Sequence, residues 1–157
     1  MPLRSGSHGY GSVAKVLHWL TVAAIVIQFP IGYLLHHRDS QASDGGPVSL
    51  QGVHVAMGLT IFTLALTRTL WRVTSTLPPW AEYLSAAERK VESINEKVLL
   101  TLLFVIPGSG LLFLLADAPF ALHVGAQLAF LCAVAVHVGL VLRHTVVRRN
   151  RNLSRML

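Results

Sequence analysis

The chain has 157 residues, 53% of them hydrophobic and 13% charged, with mean hydropathy +0.57 and formal net charge +6. Soluble domains carry about 25% charged residues, so the composition argues against an ordinary soluble enzyme and for an integral membrane protein. The single cysteine, Cys132, excludes an internal disulfide.

The first apolar run, residues 16–35 (VLHWLTVAAIVIQFPIGYLL), is too long for the core of a cleavable signal peptide and reads as a retained span. His18 lies near its start and Pro30 near its end. The outer loop that follows is expected to hold solvated His36 and His37, beside Arg38, Asp39 and Asp44. The second span, residues 53–71 (VHVAMGLTIFTLALTRTLW), opens on His54 and reaches Arg68, with Arg72 just beyond. Residues 78–96 form an inner loop, in which the charged stretch AEYLSAAERKVESINEK is expected to make a short surface helix. The third span, residues 98–116 (VLLTLLFVIPGSGLLFLLA), contains Pro107, which membrane helices tolerate when neighbours satisfy the freed carbonyl. A short connection leads to the fourth span, residues 121–142 (ALHVGAQLAFLCAVAVHVGLVL), which carries His123, Cys132 and His137. Cys132 is expected to be a small buried hydrophobe. Each run meets the roughly 20 residues needed to cross a bilayer. The pattern predicts an all-α, integral membrane four-helix bundle, with residues 1–157 as one domain.

Twelve of the thirteen basic residues flank one side of these spans. They are Arg4, Lys15, Arg68, Arg72, Arg89, Lys90, Lys97, Arg143, Arg148, Arg149, Arg151 and Arg155, with only Arg38 on the other side. The positive-inside rule then places both termini in the cytoplasm. The basic tail reads as a topology signal and an anionic-lipid contact rather than a nucleic-acid patch.

Of the eight histidines, His8 falls in the polar N-terminal segment and His144 at the inner interface. Four lie inside spans, where an ionisable group is costly and marks function. His123 and His137 are fourteen residues apart, or about 1400° of helix, so they share a face about 21 Å apart along the axis. His54 matches the outer depth of His123, and His18 the inner depth of His137. Two cross-helix imidazole pairs are what two six-coordinate haem irons need. Zinc prefers four close ligands, and the spans offer no carboxylate to complete such a site. Glycines near the histidines (Gly58, Gly108, Gly110, Gly125 and Gly139) would let a flat porphyrin approach, although small residues also serve ordinary helix packing.

In order along the chain, K-V-L-H-W-L, V-H-V-A-M-G with L-T-R-T-L-W-R, V-I-P-G-S-G-L-L, the fourteen-residue histidine step and R-N-L-S-R-M-L resemble the bacterial cytochrome b561 family. The resemblance covers nearly the whole chain. It implies two haem b groups, the outer held by His54 and His123, the inner by His18 and His137. It also implies electron transfer between the quinone pool, ubiquinone included, and an outer-face donor or acceptor, with superoxide:ubiquinone oxidoreductase activity as one form described in the family. The chain departs from the family in two places. Relatives often have a histidine at the start of span three, where this chain reads S-I-N-E-K, and some have a longer loop between spans three and four.

Arg68, Arg72, Arg143 and His144 are placed for contacts with the inner haem propionates or a quinone, and Arg38, His36 and His37 for the outer propionates. His144, with Trp71 and Trp19 at similar depth, is the candidate quinone contact. Interfacial anchoring explains the same residues equally well. Expected surroundings are membrane lipid and the bacterial inner membrane as part of a respiratory chain, with a homodimer left open. Two alternatives stand beside this reading. One is a haem-bearing anchor subunit of a dehydrogenase or hydrogenase; the other is a non-redox carrier of metal ions or protons.

Overall fold

The computed structural model describes residues 3–6, 9–37, 49–81 and 83–147. Among these residues there are four long helices and no strand. They are α1 (Ser12–His37), α2 (Leu50–Thr74), α3 (Ala86–Ala116) and α4 (Phe120–Leu142), and α4 runs on through one π-helical turn, Arg143–Val147. All four are long and apolar enough to cross a membrane. At 1.5 Å per residue the 26 residues of α1 cover about 39 Å, more than the roughly 30 Å of hydrocarbon in a bilayer.

Local chemistry sets the helix ends. Ser49 caps α2, its hydroxyl accepting from the Gly52 N–H at 3.0 Å. Ser85 and Glu88 form a reciprocal capping box that starts α3. Asp117 closes α3 in the left-handed region at φ 49°, a conformation that Asp and Asn tolerate best among side-chain-bearing residues. The N–H groups of Asp117 and Ala118 both turn back to the Leu112 carbonyl. Pro119 then leads straight into α4.

Three sequence expectations are corrected here. Residues 86–97 are not a separate surface helix. The capping box starts α3 at Ala86 and nothing breaks it before the apolar stretch, so α3 projects about three charged turns past that stretch. His36 and His37 lie in the last turn of α1 rather than in a loop, and both are exposed. Cys132 is exposed on the outer surface of α4, because Phe130 and Ala133 supply the buried side there and Cys132 points away from both. His8, Arg38, Asp39, Asp44 and the tail arginines Arg148, Arg149, Arg151 and Arg155 lie outside the described residues.

The helices alternate in direction. The start of α1 meets the end of α2 at His18 and Arg68, and the end of α2 meets the start of α3 at Arg72 and Glu96. The end of α3 meets the start of α4 at Ser109 and His123. Phe29 of α1 stacks on Phe130 of α4, ring centroids 6.5 Å apart. The start of α1 and the end of α4 thus share one end of the bundle, here called the terminal end; the opposite end is the hairpin end.

Burial is the reverse of a soluble bundle. The buried cluster is small (Ala24, Ile61, Ala65, Leu103 and Phe130), padded by residues such as Phe29, Met57, Leu102 and Val134. Large apolar side chains such as Val26, Leu115 and Leu128 point outward, Leu115 with 81% exposure. In water such a surface would be an aggregation hazard; in lipid it is the solvated face. The cluster forms an apolar layer at mid-height, with His18 and His137 toward the terminal end and His54 and His123 toward the hairpin end.

Candidate functional site

At the hairpin end, His54 of α2 and His123 of α4 face one another across the bundle. Their ring centroids are 6.3 Å apart and the ring planes cross at 80°. Two metal–nitrogen bonds of about 2 Å, with the ring centre about 1 Å beyond each nitrogen, put the centroids of two axial imidazoles about 6 Å apart. The observed separation suits one octahedral iron between the rings.

Hydrogen bonding sets the His123 tautomer. Its Nδ1 lies 3.0 Å from the Ile106 carbonyl oxygen, an acceptor only, so Nδ1 carries the proton. The Ser109 hydroxyl donates to that same carbonyl at 2.9 Å, and its oxygen lies 3.1 Å from His123 Nδ1. The Nε2 lone pair is therefore the one left for a metal, as in most histidine ligands. Here it accepts from the Gln127 side-chain amide at 2.9 Å. From α1, the Gln28 amide donates to the His54 carbonyl at 3.0 Å and approaches His54 Nε2 at 3.4 Å. His54 Nδ1 is buried with no hydrogen-bond partner among the described residues.

Two glycines frame these rings. A β-carbon on Gly32 of α1 would stand 3.0 Å from His54 Cε1, and one on Gly110 of α3 would stand 3.2 Å from His123 Cε1. Of the glycines that the sequence flagged, only Gly110 meets a histidine. A β-carbon on Gly58 would touch only Gln28, and one on Gly108, Gly125 or Gly139 would meet nothing within 4 Å.

At the terminal end, His18 of α1 and His137 of α4 are both half-buried. Arg68 Nη2 is 3.4 Å from His18 Nδ1. The other polar residues that the sequence placed here are held by acids of the α3 extension. Arg72 forms a two-pronged pair with Glu96 of α3. Arg143 reaches Glu88 at 3.4 Å, and His144 Nε2 stands 3.1 Å from Glu92 Oε1. His144 is fully buried instead of lying at an open interface. Trp71 has its indole N–H buried beside a small cavity lined by Tyr10, Arg68, Arg72 and Glu96, among others.

Sequence reasoning missed Gln28, Gln127, Ser109, Gly32 and the acids Glu88, Glu92 and Glu96. Gln127 follows His123 by four, and Gly32 follows Gln28 by four, so helical spacing held a usable signal for both. The three acids recur every four residues and make one negative stripe on α3.

Chemically, a pair of imidazoles framed by glycines could hold the iron of a flat macrocycle between them. A search among curated proteins finds no significant match. The family profile of prokaryotic cytochrome b561, in contrast, matches residues 9–157, nearly the whole chain. Together with four apolar helices, three of which carry histidines within their spans, that match means that the chain belongs to the prokaryotic cytochrome b561 family, membrane proteins that bind haem b and transfer electrons.

Proposed function

We propose that the protein is a dihaem cytochrome carrying electrons across the bacterial inner membrane, between an outer-face donor or acceptor and a membrane quinone. His54 and His123 would hold the outer haem and His18 and His137 the inner, with both termini in the cytoplasm. The orientation rests on the placement of twelve of thirteen basic residues. The single observation that carries the reading is the His54–His123 ring pair, 6.3 Å apart between two helices that do not adjoin in sequence.

Bound haem supplies one-electron ferric–ferrous chemistry. The chain's own residues do the rest. Ile106 and Ser109 hold the His123 proton on Nδ1, which leaves the Nε2 lone pair, here taken by the Gln127 amide, as the one that would bind iron. Gly32 and Gly110 let the rings lie against the flanking helices. Arg68 supplies positive charge beside His18 that suits an anionic propionate. The apolar layer separates the two histidine levels. If two histidines hold each haem, the chemistry the group would supply is electron transfer rather than oxygen binding. On this reading superoxide is a candidate outer donor, consistent with the sequence resemblance.

The test is a reduced-minus-oxidised spectrum with haem quantification on the purified protein. A b-type α-band and two haems per chain are expected, with one haem left in His123→Ala. One haem per chain in the wild type, or loss of both in His123→Ala while the fold persists, would refute the pairing. Reduction by added quinol, and by superoxide generated at the outer face of vesicles, tests the donor and acceptor.

A further inference from the structure

At the terminal end, among the described residues, one histidine stands outside both proposed haem pairs. His144 sits in the π-helical turn after α4 and is fully buried, which is unusual for an imidazole. Its Nε2 is 3.1 Å from Glu92 Oε1, and the Glu92 side chain keeps 21% exposure. Both His144 nitrogens, Glu92 Oε1, Asn95 Nδ2 and Thr145 Oγ1 are buried atoms with no hydrogen bond among the described residues, so His144 and Glu92 meet as a charge contact. Asn95 itself is buried and follows Glu92 by three on α3. The pair thus has one wetted end and one sealed end. A single-turn π bulge often marks a functional position, and this one turns His144 toward α3.

Placement gives the pair something to respond to. His144 follows His137 by seven residues, about 10 Å along the axis, so it stands about two turns from the inner histidine level. We propose that Glu92 and His144 together form a proton-binding site that loads from the cytoplasmic side when the inner haem is reduced. This rests on the reading that His18 and His137 hold that haem.

Each electron that arrives from a one-electron donor adds one negative charge at the inner site, and proton uptake from water onto the Glu92–His144 pair, about half a proton per electron at most, partly offsets it. When the electron leaves, the proton returns. Charges about 10 Å apart at the effective dielectric of a protein change proton affinity on the order of tenfold. By linkage, reduction tightens proton binding and protonation eases reduction by the same factor. The inner midpoint potential must therefore fall as pH rises through the range in which the pair titrates.

Other charges nearby are already engaged or lie further off. On α3, Glu96 pairs with Arg72 of α2, and Glu88 pairs with Arg143 beside the histidine. Arg89 donates to the Leu84 carbonyl at 3.0 Å. Tyr83, in the segment before α3, packs its ring 5.8 Å from that of His144. Arg68 faces His18.

The experiment is a spectroscopic redox titration of the purified holoprotein at a series of pH values. Wild type is compared with Glu92→Gln and His144→Gln, together with dye-detected proton uptake on reduction in weak buffer. Haem content per chain checks that each variant folds, and the outer haem is the internal control. A wild-type inner potential that falls with pH, flattened in both variants while the outer haem is unmoved, supports the proposal. Two haems with a pH-independent inner potential, or a slope that survives in whichever variant retains both haems, overturns it and leaves the dihaem reading intact. Absence of the inner haem from the wild type would sink that reading and this inference with it.

Discussion

Gly110 offers the sharpest test of the hairpin-end geometry. A β-carbon there would meet His123 Cε1 at 3.2 Å and Nδ1 at 3.4 Å, inside the 3.5–4.0 Å at which carbon atoms pack comfortably. In Gly110→Ala the ring must give way by a few tenths of an ångström, or α3 must. The ring is not free to swing, because Nδ1 is tied to the Ile106 carbonyl and Ser109. Forcing an extra carbon into a packed site costs about 1–3 kcal/mol. On the proposed dihaem arrangement, if that cost falls on His123, outer-haem affinity drops by about 5- to 150-fold. Ala also favours helix over Gly by up to about 1 kcal/mol, so the fold itself should hold. Gly108 is the matched control: it lies about 200° round the same helix, and a β-carbon there meets nothing within 4 Å. The assay is the rate of haem transfer to an excess of apomyoglobin, followed separately for the two haems. Gly110→Ala should release the outer haem faster and leave the inner unchanged, with Gly108→Ala like wild type. Equal effects of the two substitutions would refute the claim that ring contact at Gly110 governs this site.

Three further outcomes are expected. Ser109→Ala removes one acceptor from the His123 Nδ1 proton, making the imidazole a poorer donor to ferric iron. The outer midpoint potential should rise by about 20–40 mV, the equivalent of about 0.5–1 kcal/mol, with the inner potential unmoved in the same titration. Ser85→Ala breaks the capping box at the head of α3 and should cost about 1 kcal/mol in denaturant unfolding in detergent. Because Glu88 then loses its anchor, Ser85→Ala should also weaken the Arg143 pair. Asp117→Gly should be neutral or mildly stabilising, since glycine accepts φ 49° freely, while Asp117→Val should cost about 1–2 kcal/mol or more by the same measurement.

Hydropathy exposed the four spans because lipid demands long apolar runs, and the helices contain every predicted span. It could not find the start of α3, which depends on a serine and a glutamate three residues apart in a charged stretch and not on hydrophobicity. The fourteen-residue step from His123 to His137 was legible because both lie on one rigid helix. The meeting of His54 with His123 needed only matched depth, and the structure brings those rings together. Gln28, Gln127 and Gly32 were hidden because their contacts depend on how each helix is rotated about its axis, which no single-helix pattern fixes. Arg72 and Arg143, expected as contacts for a propionate or quinone, also have acid partners, on a part of α3 that the sequence had assigned to a loop.

The apolar layer of Ala24, Ile61, Ala65, Leu103 and Phe130 has an electrical consequence. It acts as an insulator across which, on the proposed arrangement, only electrons pass, with no compensating ion beside them. Flow from the outer to the inner haem then runs against the resting voltage of a cell that is negative inside. At about 100 mV that opposition approaches 2.3 kcal/mol per charge, close to a fiftyfold bias in equilibrium. Energising the membrane would therefore throttle inward transfer, and collapsing its voltage would release it.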